Sequence, residues 1–287
     1  MKKRSIDDAS SSSSLPRTKK GLGQNFLADE RVIARIVDAF SPQAGETVIE
    51  IGPGRGALTA HLIERAGRLI AVEFDRELLP LLEDKFGAHR SFSLVQADAL
   101  TVDFCALIQP DRSARVVANL PYYISTAILQ KLIQERSCLT EMVLMLQREV
   151  VERITAPPST GERGYLSVLV EAYCDGEALF DVAPGSFRPQ PKVWSTVIRL
   201  RLREKMNVDV GDERLLWRIV SAGFAQRRKT ILNNLRHAPT ELRSAIERAG
   251  GESKVLEAAS IEEPRRAETL SLEEWAQLAR AIEGAVE

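Results

Sequence analysis

Short apolar runs alternate with amphipathic stretches through the first half of the chain. After Asp29, residues Val32, Ile33, Ile36, Val37 and Phe40 recur at helical spacing, and Asp29 is placed to cap the first turn. Four strand-sized runs follow at Thr47–Ile51, Leu69–Phe74, Phe92–Gln96 and Arg115–Asn119, separated by helix-like stretches near 57–65, 76–86 and 103–109. Met142–Leu146 reads as a fifth strand. This alternation predicts an α/β fold with a parallel sheet covered on both faces. In open sheets of that kind, ligands sit outside the carboxyl ends of the strands.

The pattern changes over residues 164–203, where Gly, Pro and aromatic residues lead into Trp194–Arg203. There Val197, Ile198, Leu200 and Leu202 interleave with Arg199, Arg201 and Arg203, predicting a late strand with one charged face. From about 212 the spacing is helical to the end, through Leu215, Leu216, Ile219, Val220, Phe224, Ile231 and Leu235. Ser271 followed by Glu274 is a capping-box signature for the last helix. These shifts divide the chain into an arm at 1–20, a main domain at 21–206 and a small helical domain at 207–287. The arm holds a serine run, Ser10–Ser14, among Lys and Arg, and such a composition cannot bury a core, so it reads as disordered.

With 44% hydrophobic and 28% charged residues over 287 positions, the chain has the balance of a soluble globular protein. No apolar run approaches the ~20 residues of a membrane span, which excludes a membrane partner from the reading. The net charge is −1, yet residues 199–236 carry ten Lys/Arg against four Asp/Glu. A basic segment on a near-neutral protein points to a local polyanion contact; a solvated basic face is the alternative. Cys105, Cys138 and Cys174 are widely spaced and odd in number. They read as separate buried thiols in a reducing compartment, the cytoplasm, with neither a disulfide framework nor a metal site.

The unusual residues lie at the strand ends. The first strand runs into Glu50-Ile-Gly-Pro-Gly-Arg-Gly56, whose glycines at 52, 54 and 56 let the backbone turn tightly against a ligand. The spacing does not match the dinucleotide GxGxxG, and no Lys-Ser/Thr follows to make a P-loop. Glu73 closes the second strand, where a carboxylate can accept from both ribose hydroxyls of a nucleoside. Asp98, just past the third strand, can accept from an adenine amine, and Asn119 closes the fourth. Together they describe an adenosine pocket without a phosphate clamp, which S-adenosylmethionine fits.

Asn119-Leu120-Pro121-Tyr122 resembles the (N/D/S)-P/L-P-(Y/F/W) motif of amino-directed methyltransferases. An adenine amine is a poor nucleophile because its lone pair is delocalised into the ring. The Asn119 amide oxygen and a backbone carbonyl of Leu120 or Pro121 can accept its two hydrogens and concentrate electron density on nitrogen. Pro121 stiffens the loop, and Tyr122 can stack on the base. Catalysis would then be positioning and electrostatics. A base in a duplex must be flipped to reach such a site, or be unpaired. Phe187, on the proline-stiffened Phe187–Ser195 stretch, is expected to form the opposite wall of an aromatic clamp with Tyr122.

Taken with Lys20–Leu27, Ile49–Thr59, Ala71–Asp75, Ala97-Asp98 and Val117–Ile124, these stretches resemble the small-subunit ribosomal RNA adenine dimethyltransferase family (KsgA/RsmA), relatives of the Erm methyltransferases. The resemblance spans Lys19 to the last helix. It implies a Rossmann-like class I S-adenosylmethionine-dependent methyltransferase sheet carrying a small helical domain. Cofactor contacts are implied at Asn25, Leu27, Gly52, Gly54, Glu73, Asp98 and Asn119. The implied product is N6,N6-dimethyladenosine at two adjacent adenosines in the 3′-terminal hairpin loop of 16S rRNA, four methyls in all. The implied partner is small-subunit rRNA within an immature 30S particle, engaged by a monomeric chain through Arg227, Arg228 and Lys229. The competing readings are an Erm-type enzyme of large-subunit rRNA, a DNA adenine methyltransferase, and a ribosome-assembly factor whose methylation is secondary.

Overall fold

The computed structural model describes residues 24–284. The arm expected over 1–20 lies outside the described residues. The chain opens with a two-residue strand β1 (Phe26–Leu27) and helix α1 (Glu30–Phe40), whose first turn is capped by the Asp29 carboxylate on the Arg31 N–H. Then come β2 (Thr47–Ile51), the single turn α2 (Thr59–Leu62), β3 (Arg68–Glu73), α3 (Leu79–Phe86), β4 (Phe92–Gln96), the turn α4 (Phe104–Leu107) and β5 (Ala114–Asn119). The second half of the sheet region holds α5 (Ser125–Gln134), β6 (Leu139–Gln147), α6 (Arg148–Ile154), α7 (Tyr165–Tyr173), β7 (Cys174–Val182), β8 (Phe187–Arg188) and β9 (Ser195–Leu202). Five helices finish the described chain: α8 (Glu213–Gly223), α9 (Ile231–Arg236), α10 (Thr240–Arg248), α11 (Glu252–Ala258) and α12 (Leu272–Glu283). The last starts on the expected capping box, with Ser271 and Glu274 bonded reciprocally.

Seven strands form one sheet in the order β4-β3-β2-β5-β6-β9-β7. Strands β2 to β6 run parallel, and β9 runs antiparallel between β6 and β7. The chain winds outward from β2 to β4 on one side, then returns to start β5 on the other. That reversal at the β2/β5 junction opens a crevice at the carboxyl ends of the strands. Alternation along β2 divides the core. Val48 faces a cluster with Ile33, Ile36, Val37 and Phe40 of α1, while Ile49 and Ile51 face one with Ile128, Leu129 and Leu132 of α5. The second cluster continues without a break into Leu216, Ile219, Trp275 and Leu278 of the C-terminal helices. Apolar packing therefore crosses the sequence boundary at 206/207, and at ~1.5–3 kcal/mol for each large apolar side chain fully buried it couples the helices firmly to the sheet.

Two expectations need correcting. The first concerns cysteine: Cys105 and Cys138 are joined in a disulfide with Cα atoms 5.5 Å apart, and Cys174 is the free thiol. Their 33-residue separation hides a close approach. The start of α4 packs on the turn after α5, where the Phe104 N–H donates to the Glu135 carboxylate at 2.7 Å. A reducing compartment can thus no longer be read from unpaired thiols. The second concerns charge. The arginines of β9 and the one just after it do not form an open basic face: Arg199 pairs with Glu177 at 3.0 Å and Glu141 at 3.6 Å, Arg201 pairs with Glu141 at 3.4 Å, and Arg203 pairs with Asp175. Period-2 alternation aligned these cations with carboxylates on both neighbouring strands. Among the described residues, the cations of the basic segment with no ion pair are Arg227, Arg228 and Lys229 in the loop before α9, together with Lys205, Arg214 and Arg236.

Candidate active site

A cleft of about 300 Å³ lies over the carboxyl ends of β2, β3, β4 and β5. Its floor is the loop after β2. Gly52 and Gly54 have φ of +67° and +60°, in the left-handed region where a Cβ is strained. A Cβ on Gly52 would meet nothing within 4 Å, so the backbone there fronts open space; one on Gly54 would strike the Phe26 ring at 2.9 Å. The Glu73 carboxylate props this loop. It accepts from the Gly54 N–H at 3.1 Å and from the Asp75 N–H at 2.7 Å. It is nevertheless buried, and loss of hydration raises its pKa above the usual carboxylate value despite those bonds. On the next strand end, Asp98 takes the Leu100 N–H on one oxygen at 2.9 Å.

At the end of β5, the Asn119 amide nitrogen donates to the Asn25 carbonyl at 3.1 Å. That bond orients the side chain and leaves the amide oxygen as its acceptor. It also ties the segment before β1 to the strand ends, as does the Gln24 side chain donating to Asp75 at 2.8 Å. Downstream, the Pro121 carbonyl accepts the Ile124 N–H at 3.3 Å. Tyr122 is held by a 2.7 Å hydrogen bond between its hydroxyl and that of Ser195 at the start of β9. Partial burial raises its pKa, so it stays a neutral phenol.

The cleft gathers Asn25, Gly52, Gly54, Glu73, Asp98, Asn119, Leu120, Pro121 and Tyr122. Two expected residues stand apart. Leu27 packs into the α1 cluster. Phe187 is fully buried in the same cluster and pairs with Leu27 across the β1–β8 ribbon, so it forms no second wall opposite Tyr122. A large apolar ring beside a ribbon already sealed against α1 is drawn inward by burial. Arg227, Arg228 and Lys229 are exposed on the loop between α8 and α9, not on a continuous helix, and Arg227 donates to the Gly161 carbonyl.

Glu50 escaped the sequence reading as a site residue. It is 2% exposed under the glycine loop, accepts from the Thr59 hydroxyl at 2.7 Å, and is pushed up to about 7 by burial, with the nearby Glu73 carboxylate adding to the rise. The signal was a charged residue inside an otherwise apolar buried strand. Asp75, 5% exposed and lining the cleft, was likewise passed over.

The profile of the family described as ribosomal RNA adenine dimethylase matches residues 16–278. The chain belongs to that family. A ribosomal RNA small subunit methyltransferase A from Alkaliphilus oremlandii is 41% identical over 266 residues, 92% of this chain and 91% of that one. One of the same name from Clostridium acetobutylicum is 42% identical over 269 residues, covering 93% and 94%. Among solved structures, a dimethyladenosine transferase from Plasmodium falciparum shares the fold at TM-score 0.74 and 23% identity, over 91% of this chain and 98% of that one. The 23S rRNA methyltransferase ErmE matches at TM-score 0.65 and 27% identity, over 90% and 100%. The sheet is therefore the Rossmann-like α/β sheet of the rRNA adenine dimethylases, and the protein is an rRNA adenine dimethyltransferase. No helix among the described residues is long and apolar enough to cross a membrane.

Proposed function

We propose that the chain uses S-adenosylmethionine to dimethylate N6 of two adjacent adenosines in the 3′-terminal hairpin loop of small-subunit rRNA, acting as a monomer on an immature 30S particle in the cytoplasm. The observation that carries the reading is the Asn119 amide, turned by the Asn25 carbonyl so that its oxygen remains as acceptor at a strand end beside the glycine loop. The cleft suits the cofactor. Gly52 fronts open space without a Cβ, Glu73 retains lone pairs beyond its two backbone bonds, and Asp98 keeps a second oxygen beyond the one that takes the Leu100 N–H. In this reading Gly52 and Gly54 admit the methionine side, Glu73 accepts from the ribose and Asp98 from the adenine amine. When bound, the cofactor supplies an electrophilic methyl on a cationic sulfur.

The residues of the chain then prepare the nucleophile. Asn119 Oδ1 accepts one N6 hydrogen of the target base. The Leu120 carbonyl, or that of Pro121, which already accepts the Ile124 N–H at 3.3 Å and keeps a second lone pair, is the backbone acceptor for the second. Those two bonds favour a pyramidal amine with its lone pair directed at the methyl. Tyr122, oriented by Ser195, stacks on the base and fixes its plane. An amide is not a base, so the amine proton leaves to solvent. Arg227, Arg228 and Lys229 contact phosphates and position without reading sequence. We assign residues 21–206 to the cofactor-binding unit and 207–287 to the RNA-engaging unit.

The test is nucleoside mass spectrometry of ribosomal subunits from a strain lacking the modification, before and after incubation with protein and cofactor. Dimethyladenosine appearing only in small-subunit rRNA is the expected result. Methylation of 23S rRNA instead, or of neither, overturns the assignment.

A further inference from the structure

Strand β9 runs antiparallel to β6 and pairs Ser195 with Gln147, so β9 begins at the edge where the parallel strands end. The residue before it, Trp194, stands just outside that edge, with its carbonyl accepting the Arg148 N–H at 3.0 Å. One step along, Ser195 holds Tyr122. An indole anchored next to the tyrosine would normally find cover, yet Trp194 is 50% exposed and its neighbour Val193 42%. Arg188, which closes β8, and Lys192, in the loop that leads to Trp194, are both exposed, and Pro189 and Pro191 stiffen that loop. No carboxylate among the described residues pairs with Lys192. An exposed aromatic face interleaved with cations is the chemistry that grips unpaired nucleic acid: the base stacks, the phosphate meets the cation, and no sequence is read.

We propose that Trp194 is a stacking platform for an unpaired nucleotide neighbouring the adenosine held at Tyr122, with Lys192 meeting the adjoining phosphate. The proposal rests on the function proposed above and adds a substrate-binding surface on the sheet side of the molecule, separate from the loop at 227–229.

The fluorescence of the protein makes this testable without catalysis. Of the three tryptophans, Trp275 is buried and Trp217 packs between Tyr165 and Tyr173 with ring centroids 5.6 and 5.8 Å away, so Trp194 is the indole open to a ligand. The full chain is titrated with a synthetic RNA hairpin carrying two adjacent loop adenosines and, separately, with a fully paired RNA. Methylation kinetics are run on undermethylated 30S particles. The hairpin should quench emission and the paired RNA should not; W194A lacks the reporting indole, so its hairpin affinity is read with a dye-labelled hairpin and should be weaker than wild type. W194A should also raise KM on the order of tenfold with kcat retained, and W194F should bring KM back to within about twofold of wild type. The W194A-to-wild-type KM ratio should hold across salt, because stacking releases no counterions, whereas K192A should flatten the salt slope. Equal quenching by both RNAs, a wild-type KM for W194A, or failure of W194F to rescue overturns the proposal. So does a W194A defect on particles with hairpin affinity unchanged, which would mark a protein contact. A wild-type protein that methylates particles but shows no quench sinks this inference alone; one that methylates nothing sinks the function beneath it.

Discussion

Replacing Glu50 with glutamine should stabilise the protein, increasingly so as pH rises. Glu50 lies almost wholly out of water under the glycine loop, with the Thr59 hydroxyl 2.7 Å away and the Glu73 carboxylate nearby. Burial raises its pKa from 4.5 to about 7. The folded state therefore holds a proton that the unfolded state has already released between those values, and stability falls as pH rises through that window. At ~1.4 kcal/mol per pKa unit, the full penalty above pH 7 is about 3 kcal/mol, with no discount for solvent because the group is enclosed. The neutral amide of the Glu50→Gln variant would mimic the protonated form and keep an acceptor for Thr59. Denaturant unfolding of both proteins between pH 5 and 8 should show a gap of under about 1 kcal/mol at pH 5, growing to about 3 kcal/mol at pH 8. A gap that does not change with pH, or a variant less stable at pH 8, would refute the assignment of a protonated Glu50 beneath the loop.

The remaining predictions concern separate parts of the molecule. Opening the Cys105–Cys138 disulfide, which closes a 33-residue loop, should cost about 3–4 kcal/mol by chain entropy; thermal melts with and without reductant measure it, and identical curves would contradict it. Replacing Arg227, Arg228 and Lys229 with Ala should weaken rRNA binding and make log K less steep against log salt by about two to three phosphate contacts; an unchanged slope would remove that loop from the interface. Tyr122→Phe should retain most of the rate, since the hydroxyl only orients the ring through Ser195, whereas Tyr122→Ala should lower kcat by about tenfold or more; equal losses in both would show that the hydroxyl, not the ring, matters.

The centre of the sheet was legible because its strands are buried on both faces and read as apolar runs, as Thr47–Ile51 does for β2, and the run Phe92–Gln96 coincides with β4 although only Phe92 is buried on that edge strand. The glycine loop, Glu73, Asp98 and Asn119 were legible because the carboxyl-edge rule turns four strand ends into one site. What periodicity could not show was partnership across the fold. Arg199, Arg201 and Arg203 counted as free charge until β6 and β7 supplied their carboxylates. Cys105 and Cys138 counted as isolated because nothing local brings α4 to the end of α5. Phe187 suited a clamp by its loop and its prolines, yet the β1–β8 ribbon turns it into the core. The helical stretch from 212 to 236 was continuous in pattern but breaks before Thr230, which caps α9 by accepting the Asn233 N–H. The charged loop before it has no apolar face to bury and so leaves the helix.

The central claim is that the Asn119 amide oxygen prepares the adenine nitrogen for attack. Single-turnover methyl transfer by Asn119→Ala, with cofactor and 30S particles both saturating and cofactor affinity measured alongside, tests it most directly. Loss of one fixed acceptor at the reacting atom should slow transfer by about 10²–10³-fold while cofactor still binds. Transfer at the wild-type rate would contradict the account.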